Sequence, residues 1–311
     1  MAYQTGTAAD NTALRAAITA FAVANGWTWD ATYEMLSKGA VFAKLTLPAA
    51  GKLRIQGALG YTGATLATPC GGYAEIRDLA AGATITKAIT WPVTYHLFAN
   101  AAPDDLVCLI NFDTAYWEWL GLGQCTDLGV GAAGKATWFG ASMPVWDTTE
   151  ITISEIGDMS QFYARAPCAP FWLQSISQGY GNSASAFLHC ALDGGDGVVR
   201  AWCNDDTSTS SRLTGQFYRG HTPLLARQPN AWNSETLLVP ARIVVDRPSG
   251  FFSYVAEMPH ARLLRVNNYN GGDLITLGAD TWFAAPFFRK NTSAQTASDS
   301  GTWGWAIRKT P

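Results

Sequence analysis

The sequence predicts a mainly β fold of the α+β kind: antiparallel, sandwich-like sheets with one N-terminal helix. Three observations predict it. Short stretches of β-branched and aromatic residues recur along the 311 residues, separated by turns of Gly, Pro, Asn and Asp. Only one segment spaces its apolar residues as a helix does. The stretch from Trp91 to Gly123, WPVTYHLFANAAPDDLVCLINFDTAYWEWLGLG, sets three strand patterns end to end with a turn between each pair.

The helix comes first. Asp10 or Asn11 can cap it, Leu14, Ile18 and Phe21 follow at i, i+4 and i+7, and Asn25-Gly26 stops it. Its apolar stripe predicts packing on a sheet. From Trp27 the pattern turns to β. Tyr33 to Leu36 and Ala40 to Leu47 flank Ser37-Lys38-Gly39, a hairpin turn. Leu53 to Leu59 and Tyr73 to Leu79 are further strands.

In the 91–123 stretch, Val93, Tyr95 and Leu97 alternate with Thr94, His96 and Phe98. Ala101 to Asp105 reads as a turn, because Pro103 fixes φ and Asp bonds its own backbone. Leu106 to Ile110 is continuously apolar, as a strand covered on both faces should be. Asn111 to Thr114 turns the chain again, and Tyr116 to Leu120 is the third strand.

Gly123 to Met143 is rich in Gly and small residues and reads as a surface loop or a hinge. It suggests a division into 1–125, the helix plus an antiparallel β region, and 126–311, a second β-rich region, unless the two are continuous. Strand patterns then follow at Ile151 to Ile156, Phe171 to Ile176, Ala186 to Ala191 and Val198 to Cys203. The last two flank Leu192 to Gly197, a strong hairpin turn, and Asn204 to Ser211 is a polar loop. In Leu237 to Val245 the internal Pro240 demands a sheet edge or a bulge. Phe251 to Glu257, Arg262 to Val266, Leu274 to Leu277, Trp282 to Phe288 and Trp303 to Arg308 complete the set.

Composition narrows the function. Apolar residues make up 48%, enough for a large core, while charged residues are only 14% against roughly 25% in ordinary domains. The net charge of −3 gives no footprint for nucleic acid. No run of 18 apolar residues predicts a membrane span, and the start lacks the pattern of a signal peptide, so synthesis and first folding are expected in a cytoplasm. The six cysteines have no CxxC spacing, which argues against zinc, and a cytosolic origin favours free thiols. Cys190 and Cys203 flank a hairpin and are the one pair whose approach is suggested.

Motifs for chemistry are scarce. Gly140-Ala-Ser142 lacks the second glycine of a hydrolase elbow, and no phosphate or dinucleotide loop occurs. His96, His189, His221 and His260 are scattered, with His221 in a loop as the best single site candidate. Asp193, Asp196, Asp205 and Asp206 sit in or near turns, where they either bind calcium or cap the backbone. Glu118, Asp113 and Glu155 are the carboxylates a glycosidase reading would use, but no spacing enforces their approach. Glu118, between Trp117 and Trp119, is expected to face solvent. The i, i+2 pairs Trp27/Trp29, Trp117/Trp119 and Trp303/Trp305 each project from one strand face, either as core or as an assembly or ligand surface.

Three segments carry a resemblance. AYQTGTAADNTALRAAITAFAVANGW, the 91–123 stretch, and ARLLRVNNYNGGDLITLGADTWFAAPFFRKN resemble segments of a family of tailed-bacteriophage virion structural proteins. In the last segment Gly278, Trp282, Pro286, Phe287 and Arg289-Lys290 fall at the expected places. The middle of the chain, about Gly134 to Asn230, is not covered by the resemblance. The resemblance implies a component of the virion tail, baseplate or neck, acting by assembly without catalysis, cofactor or metal. Its implied partners are copies of itself and other tail and baseplate proteins, with a host surface receptor as a further candidate and neither nucleic acid nor membrane insertion. The implied place is the virion, and the host cytoplasm during assembly. The alternatives are a receptor- or glycan-binding tail protein, with an aromatic shelf within 170–235, and a glycan-degrading tail enzyme.

Overall fold

The computed structural model describes residues 1–49, 51–77, 88–129, 136–146, 149–150, 169–171, 185–205, 213, 215–217, 224–225, 227–292 and 300–310. In chain order they form β1 (Ala2–Ala8), α1 (Asn11–Ala24), β2 (Thr28–Asp30), β3 (Met35–Lys38), β4 (Val41–Thr46), β5 (Lys52–Ala58), β6 (Gly60–Thr62), β7 (Thr65–Ala67) and β8 (Tyr73–Arg77). Next come β9 (Val93–Asn100), β10 (Asp105–Asp113), β11 (Tyr116–Gln124), β12 (Thr126–Asp127), β13 (Thr137–Ala141), β14 (Met143–Trp146) and β15 (Thr149–Glu150). The remainder are β16 (Ala186–Asp193), β17 (Val199–Cys203), β18 (Gly215–Phe217), β19 (Val239–Asp246), β20 (Phe252–Arg265), β21 (Leu274–Leu277), β22 (Asp280–Pro286) and β23 (Trp303–Thr310).

Three antiparallel sheets stack as layers. The central sheet runs β1-β9-β10-β11-β13-β16-β17. One outer sheet runs β15-β14-β8-β5-β4-β3-β2, and the other β18-β19-β20-β23-β22-β21, with β12 added on β20. The mainly β class with a single described α-helix is therefore the observed one.

The period of two along each strand builds both interfaces. From the central sheet, Leu97, Cys108, Ile110, Leu120 and Leu122 enter one core with α1 and the first outer sheet. Their neighbours Phe98, Val107, Leu109, Trp119 and Trp138 enter a second core against the other outer sheet. This is why Leu106 to Ile110 is unbroken in its hydrophobicity: each of the five is at most 2% exposed.

The helix follows its sequence signals. Asp10 is the N-cap and accepts from Ala13 N at 2.7 Å. Leu14, Ile18 and Phe21 are buried in the first core, and Asn25 is the C-cap. Pro240 sits at a register shift between β19 and β20, beyond the end of the short β18, so it costs no ladder bond on that side.

Several expectations need correction. The described residues of the Gly-rich stretch 123–143 are mostly strand, with β12, β13 and the start of β14 in them, while 130–135 lie outside the described residues. Glycine serves packing there: Gly121 and Gly140 are cross-strand partners, and a Cβ on Gly121 would stand 2.6 Å from the Trp138 ring and one on Gly140 2.8 Å from the Trp119 ring. The division at 125/126 cuts across sheets, since β13, β16 and β17 continue the central sheet and β14 joins β8. Asn111 to Thr114 is mostly strand, the turn being confined to Thr114 and Ala115. Phe251 to Glu257 and Arg262 to Val266 are not two strands but one, β20, running through Pro259. Sequence also gave no sign of β1, which pairs with β9 along its whole length.

Candidate functional site

Glu118 lies on the strand face shared with Leu120 and Leu122, and both faces of that sheet are covered. It is 1% exposed, not solvent-facing as its sequence suggests, and its Oε2 accepts from Arg77 N at 3.2 Å. Glu75 and Arg77 are buried beside it, with Arg54 Nε 2.7 Å and Arg77 Nε 3.7 Å from the Glu75 carboxylate. Two arginines against two carboxylates make a neutral buried cluster, which is what an interior tolerates. Asp113 is exposed and bonds Thr114 N at 2.7 Å. Glu155 lies outside the described residues.

The turn aspartates are occupied by protein partners. Asp193 pairs with Arg247. Asp196 takes both guanidinium nitrogens of Arg200 at 2.9 Å, and this hydrogen bonding holds its carboxyl down to about 2. Asp205 accepts from Gly72 N at 2.8 Å. Asp206 lies outside the described residues. Among the described residues no cluster of three metal-ligating side chains occurs.

Three histidines are structural. His96 Nδ1 lies 2.9 Å from the Tyr3 hydroxyl, and its ring sits among Tyr3, Trp117 and Phe283. Burial first, then Lys309, lowers its pKa to about 4. His189 is buried edge-on to Trp202. His260 Nδ1 is 2.8 Å from Asp105 Oδ2, both buried, and Asn100 donates to the other Asp105 oxygen at 2.7 Å. His221 lies outside the described residues.

Trp117, Trp119, Trp303 and Trp305 are between 1% and 6% exposed and belong to the second core. Trp119 and Trp305 meet edge-to-face at 5.2 Å across the two sheets. They are interior cement, because the second outer sheet covers the face the i, i+2 spacing defines, and Trp117 alone of the four also lines a cleft. Cys70, Cys108, Cys125, Cys190 and Cys203 are buried free thiols, and Cys190 hydrogen-bonds Cys203 across the hairpin without a disulfide. Cys168 lies outside the described residues.

A concave site lies where no sequence motif points. The β10–β11 turn, the chain after β20 and the chain after β22 enclose a cleft of ≈ 410 Å³. Trp117 and Pro286 line it as buried apolar walls, Lys290 is half-buried, and Thr114, Asn270 and Thr292 are exposed. Gly271 is needed here because any Cβ would strike the Trp117 indole. Lys290 Nζ donates to Tyr269 O at 2.8 Å, and Trp117 N donates to Phe288 O at 2.7 Å. Among the described residues no carboxylate, histidine or cysteine lines the cleft, and Lys290 is the one titratable side chain on its wall. Trp117 stacks on His96 at 5.7 Å, meets Phe283 edge-to-face at 6.1 Å and is only 6% exposed, so it is a wall of the cleft and not an open platform for a sugar ring.

Sequence reasoning also passed over Trp232. It is 96% exposed, while every other tryptophan of described exposure is buried or half-buried. Its signal was its setting in Asn-Ala-Trp-Asn-Ser, a tryptophan among turn formers with no strand period around it.

No protein-family model matches the chain, and no curated protein matches it at a significant level.

Proposed function

We propose that this chain is a structural component of a tailed-phage virion, in the tail or baseplate, that acts by protein–protein assembly without catalysis. One observation carries the reading. The three segments that resemble the virion family, far apart in sequence, form one contiguous unit: β1 pairs with β9, Tyr116 bridges to Arg289, and the His96 and Phe283 rings meet at 4.6 Å. A shared fold kernel is what such a resemblance requires. The neutralised carboxylates, and a cleft with no carboxylate or histidine among its described lining residues, favour assembly over hydrolysis. Exposed apolar side chains at hairpin tips, Val199 at 68% and Phe251 at 71%, offer contact surface.

The test is quantitative mass spectrometry and antibody labelling of purified virions from the encoding phage. The chain should be present in many copies and label the tail. Its absence from washed particles would end the proposal. The receptor- or glycan-binding alternative draws on Trp232, which falls within 170–235; purified protein that blocks phage adsorption would favour it. The glycan-degrading alternative predicts that Glu118→Gln abolishes hydrolysis of host polysaccharide, whereas assembly predicts no hydrolysis by the unaltered chain.

A further inference from the structure

The Trp232 loop is built rigidly around a side chain that touches almost nothing. Asn230 N donates to Glu235 O at 2.8 Å and Ser234 N returns to Asn230 O at 2.8 Å. Asn230 Oδ1 takes Trp232 N at 2.9 Å, and Asn233 Oδ1 takes Glu235 N at 3.2 Å. Four hydrogen bonds thus fix a turn whose apex leaves an indole in water. An indole of this kind has about 200 Å² to bury, and tryptophans are the side chains most enriched among the few that dominate interfaces.

The loop is also tied to the cleft. Asn268 Nδ2 donates to Ser234 O at 2.8 Å, two residues before Asn270 in the cleft wall. Knob and socket therefore share one side of the molecule. Trp232 does not fill the cleft of its own chain, since it is 96% exposed. The cleft suits an indole: ≈ 410 Å³, apolar walls at Ala115, Trp117 and Pro286, and the Lys290 ammonium to lie against an aromatic face. Among the described residues no carboxylate lines it to repel that face.

We propose that this side of the molecule is a self-association surface on which Trp232 of each copy occupies the 114–117/271/286/290 cleft of a second copy. A knob beside its own socket fits a two-fold axis, because one rotation satisfies both contacts at once. The inference deepens the assembly reading by naming a partner. The two fail separately: incorporation is scored on virions, self-association on the purified full chain.

Sedimentation velocity of the full chain should show a dimer. Trp232→Ala, which removes the knob, and Thr114→Trp, which blocks the socket mouth, should each weaken it by about 30-fold or more. An equimolar mixture of the two variants should associate more tightly than either alone, because one intact knob then meets one open cleft. Acrylamide quenching of the Trp232 emission should fall as the wild-type chain associates. A wild-type chain that stays monomeric up to about 0.1 mM overturns the proposal, as does Trp232→Ala dimerising normally or a mixture no tighter than its parts. Trp232-dependent binding of host oligosaccharide by a monomer would likewise overturn it and assign the indole to a glycan.

Discussion

Burial beside Tyr3, Trp117 and Phe283 keeps His96 neutral, with its pKa lowered from 6.5 to about 4. The sign follows from proton counting. Between about 4 and 6.5 the unfolded chain binds a proton there that the folded chain refuses, so stability is full above 6.5 and falls as pH drops towards 4. The loss amounts to at most about 3 kcal/mol, less to the extent that water reaches the ring. Urea denaturation of wild type and His96→Gln between pH 7 and pH 4 should show a steeper decline for wild type. Parallel curves would remove His96 as the source. At this scale the sequence reveals residue type but not surroundings. His96 looks like any strand histidine, and Glu118 between two tryptophans looks like the polar side of an amphipathic strand. Only a second covering layer, supplied by residues 52–77 far upstream, makes Glu118 an interior charge with Arg77 as its neighbour.

Between β9 and β10 the turn carries two adjacent aspartates with opposite duties. Asp104 reaches the first outer sheet, 2.8 Å from Lys38 Nζ, while Asp105 reaches the second, 2.8 Å from His260. The Asp104 pair is partly exposed and the Asp105 pair is buried. Asp104→Ala should therefore cost at most about 1 kcal/mol, whereas Asp105→Ala should cost about 2–4 kcal/mol by leaving His260 and Asn100 buried without their acceptor. Equal midpoints in guanidinium titrations of the two variants would refute this assignment. A second prediction concerns β11 and β13. Gly140→Ala pushes a methyl into the Trp119 ring and the Ser185 carbonyl, so it should destabilise by about 1–3 kcal/mol or more on the same measurement. Strands flanked by Asp-Gly or Pro turns, such as β9, β10 and the β16–β17 hairpin, were legible because turn chemistry punctuates them. β13 was not, because its one glycine, Gly140, packs an aromatic ring and so mimics part of a flexible loop. β1 was not, because Ala, Gln and Gly break up the strand preference of its Tyr and Thr, and it is held by its pairing with β9.

Stacking three sheets means that the central one has no solvent face, and its two cores share every strand. A fragment 1–125 would retain β1, β9, β10 and β11 but expose Phe98, Leu109, Trp117 and Trp119, whose cover comes from residues 239–307. Expressed alone, it should lack near-ultraviolet circular dichroism and a cooperative melt; a sharp transition from that fragment would restore the division at residue 125. The alternating patterns announced sheets but not their number, since a strand buried on both faces and a strand in an ordinary sandwich both read as apolar runs. The association face was harder still to read. It joins residues 114–117, 230–235, 268–271 and 286–292, which no periodicity connects.

The Asp104–Asp105 turn has a mechanical meaning. Close-packed side chains resist squeezing of one layer onto the next, yet apolar contacts, being non-directional, offer little resistance to sliding. Two neighbouring residues clamp the middle layer to both outer ones at a single end, so lateral load there must break directional bonds first. At the β16–β17 edge of the central sheet Asp193 holds Arg247 after β19 of the second outer sheet, while Asp205 and Trp202 hold Gly72 and Thr68 ahead of β8 in the first, so both outer layers are tied there as well. Under shear the slab should therefore behave like a book bound along two edges, resisting slip at the β9–β10 turn and again beside β17.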